Sequence, residues 1–316
     1  MDLYRINKDA EAYFMTQMKG EYAGYMEKRK ISPEVARRFG IGGSGDGLIP
    51  YMHRLGYSDD ELLEANLIDE SGEPFFRDRI IFPISDMKGI VGFSARLMTG
   101  EKKMKYKNTK ENAIFQKGRV LYNFPRASRS GKNALVICEG QMDVIAMEEA
   151  GHMSCVALMG TALTKEHIEL IRTFTSKVIF CLDGDAAGQL NAKKNGEELA
   201  RSGFTVMNIC LPEGHDPDEI LRNEGREKLN SLLKAKTLCQ AETDRIRAHY
   251  DAMGKAYGGH RLDIAYDSID YIRRFSKTRK ADIAYLSEIT GFSEKALDET
   301  LEKGIGARTD DRQRHA

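Results

Sequence analysis

The chain has 316 residues, enough for two or three subdomains around a sizeable core, and its 48 Lys/Arg balance 48 Asp/Glu. It holds no apolar run of about 18 residues and no basic-then-apolar leader, which argues against a membrane span or secretion and for the cytoplasm. The five cysteines (Cys138, Cys155, Cys181, Cys210, Cys239) include no Cys-x-x-Cys pair, so neither a zinc site nor a disulfide frame is expected. Four of them sit in apolar, strand-like runs and read as small buried hydrophobes.

Residues 1–71 read as helical. Ala12, Phe14, Met15, Met18, Tyr22, Tyr25 and Met26 recur at steps of three and four between Lys8 and Lys30. Ser32-Pro33 has the form of an N-cap with proline at the first helical position. The glycine-rich stretch 40–47 lacks Gly-Lys-Ser/Thr and follows no strand, so a connector is favoured over a phosphate cradle. Ser58 to Glu61 has capping-box spacing and opens a helix over 59–66. This part reads as a scaffold for the next.

Residues 72–132 change character. Arg79–Ser85 and Ile90–Leu97 read as strands joined by a turn at 86–89. The block holds 14 Lys/Arg against 5 Asp/Glu, whereas 133–235 holds 10 against 16. A basic block beside an acidic one suits a protein that grips a polyanion on one side and metal ions on the other. The plainer alternative is a solvated surface of uneven charge. Tyr106 and Tyr122 lie among the cations and are expected to stack on bases.

Residues 133–235 alternate short apolar runs with helical spacing. Strands are expected over the apolar run that opens at Ala134 and stops at Glu139-Gly140, and at Cys155–Met159, Val178–Leu182 and Val206–Leu211, with helices between them and a further helix over Glu219–Lys234. Nearly continuous apolar strands of this kind imply a mostly parallel, helix-covered sheet. Two runs stop abruptly at carboxylates, one at Glu139-Gly140 and one at Asp183-Gly184-Asp185. Ligands of open α/β sheets bind beyond the carboxyl ends of the strands. Glu139, Asp183 and Asp185 are therefore expected at one crevice. Residues 236–303 read as a helical subdomain, with Leu262, Ala265, Ile269, Ile272 and Phe275 on one face and Ser293 capping a last helix. The polar tail 304–316 is expected to be disordered.

Glu139-Gly140 followed by Asp183-x-Asp185 with Gly188 behind resembles the TOPRIM domain of primases and topoisomerases. More of the chain is similar to the catalytic core of bacterial DnaG-type primases. The matching stretches are 139–144, 157–162 with Glu166-His167, and Asp216-Pro217-Asp218. Gln141 stands where that family usually has tyrosine, at the rim of the site. The resemblance spans about residues 3 to 302 and extends to a basic motif, with Arg77, Arg79, Arg96, Lys105, Asn108, Lys117 and Arg119 at its positions. It implies an α/β fold, α+β overall. A mixed α+β basic subdomain (1–132) precedes a mostly parallel TOPRIM sheet (133–235) and a helical subdomain (236–303).

The implied activity is synthesis of short RNA primers from ribonucleoside triphosphates on single-stranded DNA, a nucleotidyl transfer. Carboxylates converging on one edge need a counter-ion. Magnesium (or manganese) takes oxygen ligands, keeps waters and bridges to phosphates, and two ions can stabilise attacking and leaving oxygens. Asp183, Asp185 and Asp218 are expected as metal ligands, with Asp216 assisting. Glu139 is expected to bind metal or act as general base, and Asp143 to hold a further ion. For Asp143 and Asp216 the alternative is helix capping. Fixed Arg and Lys side chains suit phosphates as forks and point charges. No zinc ribbon and no helicase-binding domain is recognised, so an excised core or a short relative, monomeric, is expected. The replicative helicase would be a partner only through the missing domain. The rival reading is a TOPRIM nuclease or RNA-processing phosphodiesterase. It does not need the triphosphate-gripping motif.

Overall fold

The computed structural model describes residues 1–98, 105–253 and 260–303. The tail for which disorder is expected lies outside these residues.

The first 64 residues form α1 (Leu3–Thr16), α2 (Glu21–Lys28), α3 (Pro33–Arg38), the two-residue strand β1 (Gly42–Gly43), α4 (Leu48–Arg54) and α5 (Asp59–Glu64). The helical spacing from 8 to 30 is therefore two helices, with the chain turning at Gly20, where φ is +55°. Ser32 caps α3 through the Val35 N–H, and Ser58 forms the capping box with Glu61. The 40–47 stretch is a connector with a packing role. A Cβ on Gly42 would stand 2.3 Å from the Phe14 carbonyl carbon, so glycine lets β1 pass against α1.

Strands β2 (Arg79–Ser85) and β3 (Ile90–Leu97) pair antiparallel, with β1 on one side and β4 (Tyr106–Asn108) on the other. Pro83 fits inside β2 because β1 pairs only with Ile80 and Ile81, leaving no partner for the missing N–H. A 3-10 turn at Lys117–Arg119 and the short α6 (Phe124–Ala127) lead into the second sheet.

That sheet alternates β5 (Leu135–Cys138), α7 (Gln141–Glu149), β6 (Cys155–Ala157), α8 (Lys165–Arg172), β7 (Lys177–Phe180), α9 (Ala186–Arg201) and β8 (Thr205–Ile209). After α10 (Pro217–Glu224) and α11 (Arg226–Leu232) comes β9 (Ala235–Thr237), giving the order β6-β5-β7-β8-β9. Four strands are parallel; β9 pairs antiparallel with β8. The sequence reading missed β9, whose residues are only half-buried and carry little apolar signal. It also ran one helix across Gly225, where α10 and α11 part.

Strand alternation decides what each face of this sheet meets. Leu135, Ile137, Val156, Val178 and Phe180 pack in one core with Ile264, Ile269 and Leu286 of the C-terminal helices. Val136, Cys138, Cys155 and Ala157 pack with α7 and with Ile80, Phe82 and Ile84 of the first sheet. The C-terminal helices are α12 (Leu238–Ala252), α13 (His260–Phe275), α14 (Arg279–Thr290) and α15 (Glu294–Lys303). All five cysteines are free; Cys239, on α12, is buried, while Cys210, just past β8, is exposed, contrary to its strand-like reading. Among the described residues no helix is long and apolar enough to cross a membrane.

Candidate active site

Parallel pairing of β5 with β7 sets Ile137 opposite Phe180, so Glu139 and Asp183 leave the same sheet edge side by side. The loop after β7 is locked to the loop after β8, because the Gly184 N–H donates to the His215 carbonyl at 2.9 Å. That second loop delivers Asp216 and Asp218. Helix α7 starts directly after β5 and carries Asp143 in its first turn. Four chain segments thus bring acids to one edge.

Several of these acids also hold the backbone. Asp185 Oδ1 accepts from the Gly188 N–H at 2.7 Å and caps α9. Asp216 Oδ1 accepts from the Glu219 N–H at 2.6 Å and caps α10. Asp143 Oδ2 accepts from the Gly140 N–H at 2.9 Å. The capping alternative is real for Asp143 and Asp216, and Asp185 shares it. In each case one named oxygen makes the bond, so capping and cation binding are compatible.

A cleft of about 610 Å³ runs along this edge. Glu139, Asp143, Asp183, Asp216 and Asp218 line one side; Arg96, Lys105, Asn108 and Lys117 face them from the first sheet and the turn beyond it. Arg96 donates to the Tyr106 hydroxyl at 2.7 Å and lies over its ring. Two further cations line the cleft. Arg29, at the end of α2, forms an ion pair with Asp218, and Arg222 approaches the same carboxylate at 3.6 Å. Gln141 lines the cleft and is buried.

Arg29 lies in the part expected to be scaffold, and no local signal marks it, because its partner lies far along the chain. Arg222 is also absent from the expected set, although its place four residues after Asp218 is a local signal that could mark it. Three residues of the expected basic set lie off the cleft wall. Arg77 is exposed and pairs with Glu73 at 2.7 Å. Arg79 is buried and donates to the carbonyls of Ala95 and Lys105, holding the strand edge. Arg119 is exposed on the 3-10 turn. Tyr122 is not available for base stacking: it is 1% exposed and its backbone pairs with Ala157. Its apolar ring completes the core under Phe39.

Crowding raises the proton affinity of the acids. Burial, then repulsion from Glu139, Asp216 and Asp185, pushes Asp183 up to about 7. Burial, then Asp185 and Asp216, raises Glu139. Burial and the neighbouring carboxylates raise Asp143, and burial raises Asp218 against the pull of Arg29 and Arg96. Asp218 Oδ1 is buried with no hydrogen-bond partner. Among the described residues no three His, Cys, Asp or Glu side chains close around one point. Oxygen-only donors, an orphaned carboxylate oxygen and mutual repulsion fit a hard divalent cation that keeps waters and takes further ligands from phosphate.

The chain matches the N-terminal domain of the DNA primase catalytic core over residues 11–128 and a Toprim-like family over 136–221. It is 37% identical over 243 residues to a DNA primase of Clostridium acetobutylicum, covering 73% of this chain and 40% of that relative. The RNA polymerase domain of Mycobacterium tuberculosis primase DnaG, in complex with a double-stranded DNA oligomer with an overhang, superposes with a TM-score of 0.78. It is 27% identical, covering 92% of this chain and 98% of that one. A DnaG primase catalytic domain bound to single-stranded DNA superposes with a TM-score of 0.71 at 29% identity, covering 93% and 98%. The chain spans half or less of the length of the curated relatives it matches. Sheet order, the edge that gathers the acids and these matches agree: the chain belongs to the family of DnaG-type DNA primase catalytic cores.

Proposed function

We propose that the cleft joins ribonucleoside triphosphates into short RNA primers on a single-stranded DNA template. The observation that carries this reading is the facing of two charge systems: carboxylates on one wall and Arg96, Lys105 and Lys117 on the other, about one small cavity. A hydrolase of this family need not hold a triphosphate, whereas a polymerase must, and fixed cations facing the acids suit that task. A primase catalytic domain of the same fold is known bound to single-stranded DNA, which supports that template class.

In this reading Arg96 and Lys105 hold the triphosphate, and Asn108 and Lys117 contact nucleotide or template. Glu139, whose proton affinity is raised, takes the proton from the attacking 3′-hydroxyl. Asp183, Asp185 and Asp218 would hold magnesium or manganese, with Asp216 assisting, and Asp143 would hold a further ion. The bound cation would neutralise charge on the pyrophosphate that leaves. Residues 1–132 act as the grip, 133–235 as the metal-binding unit and 236–303 as its helical support.

The test is incubation with single-stranded DNA, labelled ribonucleotides and magnesium or manganese. Labelled RNA shorter than the template is expected. Shortened template without labelled product would favour a nuclease and overturn the proposal.

A further inference from the structure

One stretch of the cleft wall carries no charge. The sheet order β6-β5-β7-β8 spreads the acids from Glu139, after β5, to Asp218, after β8, and sets the end of β6 on the far side of Glu139. There Gly140, Gln141, Met142, Met159 and Gly160 line the wall. We propose that Gln141 holds the ribose of a nucleotide by its vicinal hydroxyls and so selects ribonucleotides over deoxyribonucleotides. The inference rests on the primer-synthesis reading of this cleft and names a residue for its sugar specificity.

The Gln141 amide is the first argument. Gln141 is the first residue of α7, is 3% exposed and lines the cleft. Its amide makes no hydrogen bond among the described residues, yet neither its oxygen nor its nitrogen is among the side-chain atoms sealed from the surface. A polar group set this deep is seldom left unpaired, and this one stays within reach of an occupant. An amide offers an acceptor and a donor side by side. Phosphate oxygens would pair with the nitrogen alone, whereas each hydroxyl of a vicinal diol both donates and accepts, so the pair satisfies both ends. A base edge could do the same for one base, but a template-copying enzyme must accept all four, and the sugar is what they share.

The surroundings give the second argument. Met142 and Met159 are buried and flank the amide with an apolar wall. Met159 has a φ of +56°, and its N–H donates to the Glu139 carbonyl at 3.1 Å, tying the end of β6 to a catalytic acid. Left-handed backbone in a non-glycine residue persists only where its surroundings fix it, and it gathers at ligand sites. Gly160 is exposed, with open space where a Cβ would stand, so the corner is accessible. The Thr164 hydroxyl donates to the Gly118 carbonyl at 2.6 Å, which holds the turn carrying Lys117 against the segment that follows β6. A nucleotide with its phosphates between the acids and the cations therefore has this uncharged corner beside it for its sugar.

The test is extension of a pre-paired RNA primer end by one nucleotide, using the whole chain and ATP, 2′-deoxy-ATP or 3′-deoxy-ATP opposite a template thymine. The parent is compared with Gln141→Met, which keeps the length of the side chain and removes the amide. In the variant kcat/KM for ATP should fall roughly tenfold, as for a lost pair of neutral hydrogen bonds, and fall less for the two deoxy substrates, so that the preference for ATP shrinks. The other three ribonucleotides, each opposite its complement, should show the same shrinkage against their deoxy forms. The melting temperature should not fall, because an unpaired amide is replaced by an apolar chain of similar size; this separates lost recognition from lost folding. An equal loss for all three sugars, an unchanged preference for ATP, or a changed preference among bases alone overturns the assignment and leaves the primer-synthesis reading standing. A parent chain that extends the primer with none of the nucleotides overturns that reading and this inference with it.

Discussion

Arg29 and Asp218 stand 189 positions apart and close an ion pair across the cleft wall, joining the N-terminal helices to the acidic edge of the second sheet. The Asp218 side chain is 4% exposed and Arg29 18%. A buried carboxylate stripped of its partner is costly, and Arg222 at 3.6 Å offers only partial replacement.

Arg29→Ala should therefore destabilise the protein by about 2 kcal/mol, less than the 3–5 of a fully isolated buried pair. Burial already raises the Asp218 pKa, and Arg29 is the largest influence lowering it; the substitution raises it further. A carboxyl whose folded pKa exceeds its unfolded value opposes folding as pH rises above the unfolded pKa. The deficit should accordingly be small near pH 4 and larger at pH 8. Melting curves at the two pH values check this; equal melting temperatures for variant and parent at the higher pH would sink it. If Asp218 also takes a cation, added magnesium should restore part of the loss.

Lys105 faces Asp216 and Asp143 across the cleft, and burial, then Arg96, lowers its pKa. A phosphate arriving there would stabilise its charged form. Lys105→Ala should weaken nucleotide or template binding, and losing one contact to single-stranded DNA should flatten the log–log salt slope by roughly 0.7. Fluorescence anisotropy across a salt series measures it. An unchanged slope with unchanged nucleotide affinity would return Lys105 to ordinary solvated charge.

The acids were legible in the sequence because parallel strands announce themselves as apolar runs and these stop at carboxylates. The β2–β3 hairpin was legible to the residue, since two apolar runs flank a turn whose Asp86 accepts from the Lys88 and Gly89 N–H groups. Arg29 was not, because ion pairing between distant segments leaves no periodic trace. Nor was the sorting of cations: Arg77, Arg79 and Lys105 read alike as positive charge, while one pairs with Glu73, one holds strand carbonyls and one reaches the cleft. Tyr122 failed for the same reason, since an aromatic beside basic residues reads equally as a stacking platform or as core.

Asp183→Asn tests the crowded acids directly. Without metal, ionised Asp183 is opposed by burial and by Glu139, Asp216 and Asp185, which push its pKa up to about 7. Its penalty on folding starts above the unfolded pKa near 4 and is complete above about 7. The variant should melt higher than the parent at about pH 8, by on the order of 1 kcal/mol once screening in the open cleft is allowed for, and show no gain near pH 4. Primer synthesis should be lost. Asp185→Asn should lose synthesis with its fold intact, because the amide oxygen can still accept from the Gly188 N–H. Calorimetry without metal and a primer assay with it separate the two effects. Full activity in either variant at saturating magnesium would remove that residue from the metal set.

The glycines around the acid pair are fixed by backbone, not by side chains that can move aside. A Cβ on Gly184 would lie 2.0 Å from the Pro212 carbonyl oxygen, and one on Gly188 would lie 2.3 Å from the Asp183 carbonyl oxygen. The first contact is where the loop after β7 meets the loop that delivers Asp216 and Asp218. The second is where α9 starts against Asp183. Gly184→Ala should push the two acid-bearing loops apart and Gly188→Ala should displace Asp183, each losing activity. A clash with main chain is relieved only by shifting backbone, so a stability loss of several kcal/mol is expected for each, at the large end for single substitutions. Gly203→Ala is the control, since its positive φ of +92° costs backbone strain but its Cβ meets nothing within 4 Å. Melting temperatures and primer synthesis should fall much further in the first two than in the control; activity in Gly184→Ala comparable to Gly203→Ala would show that the loops are not locked together.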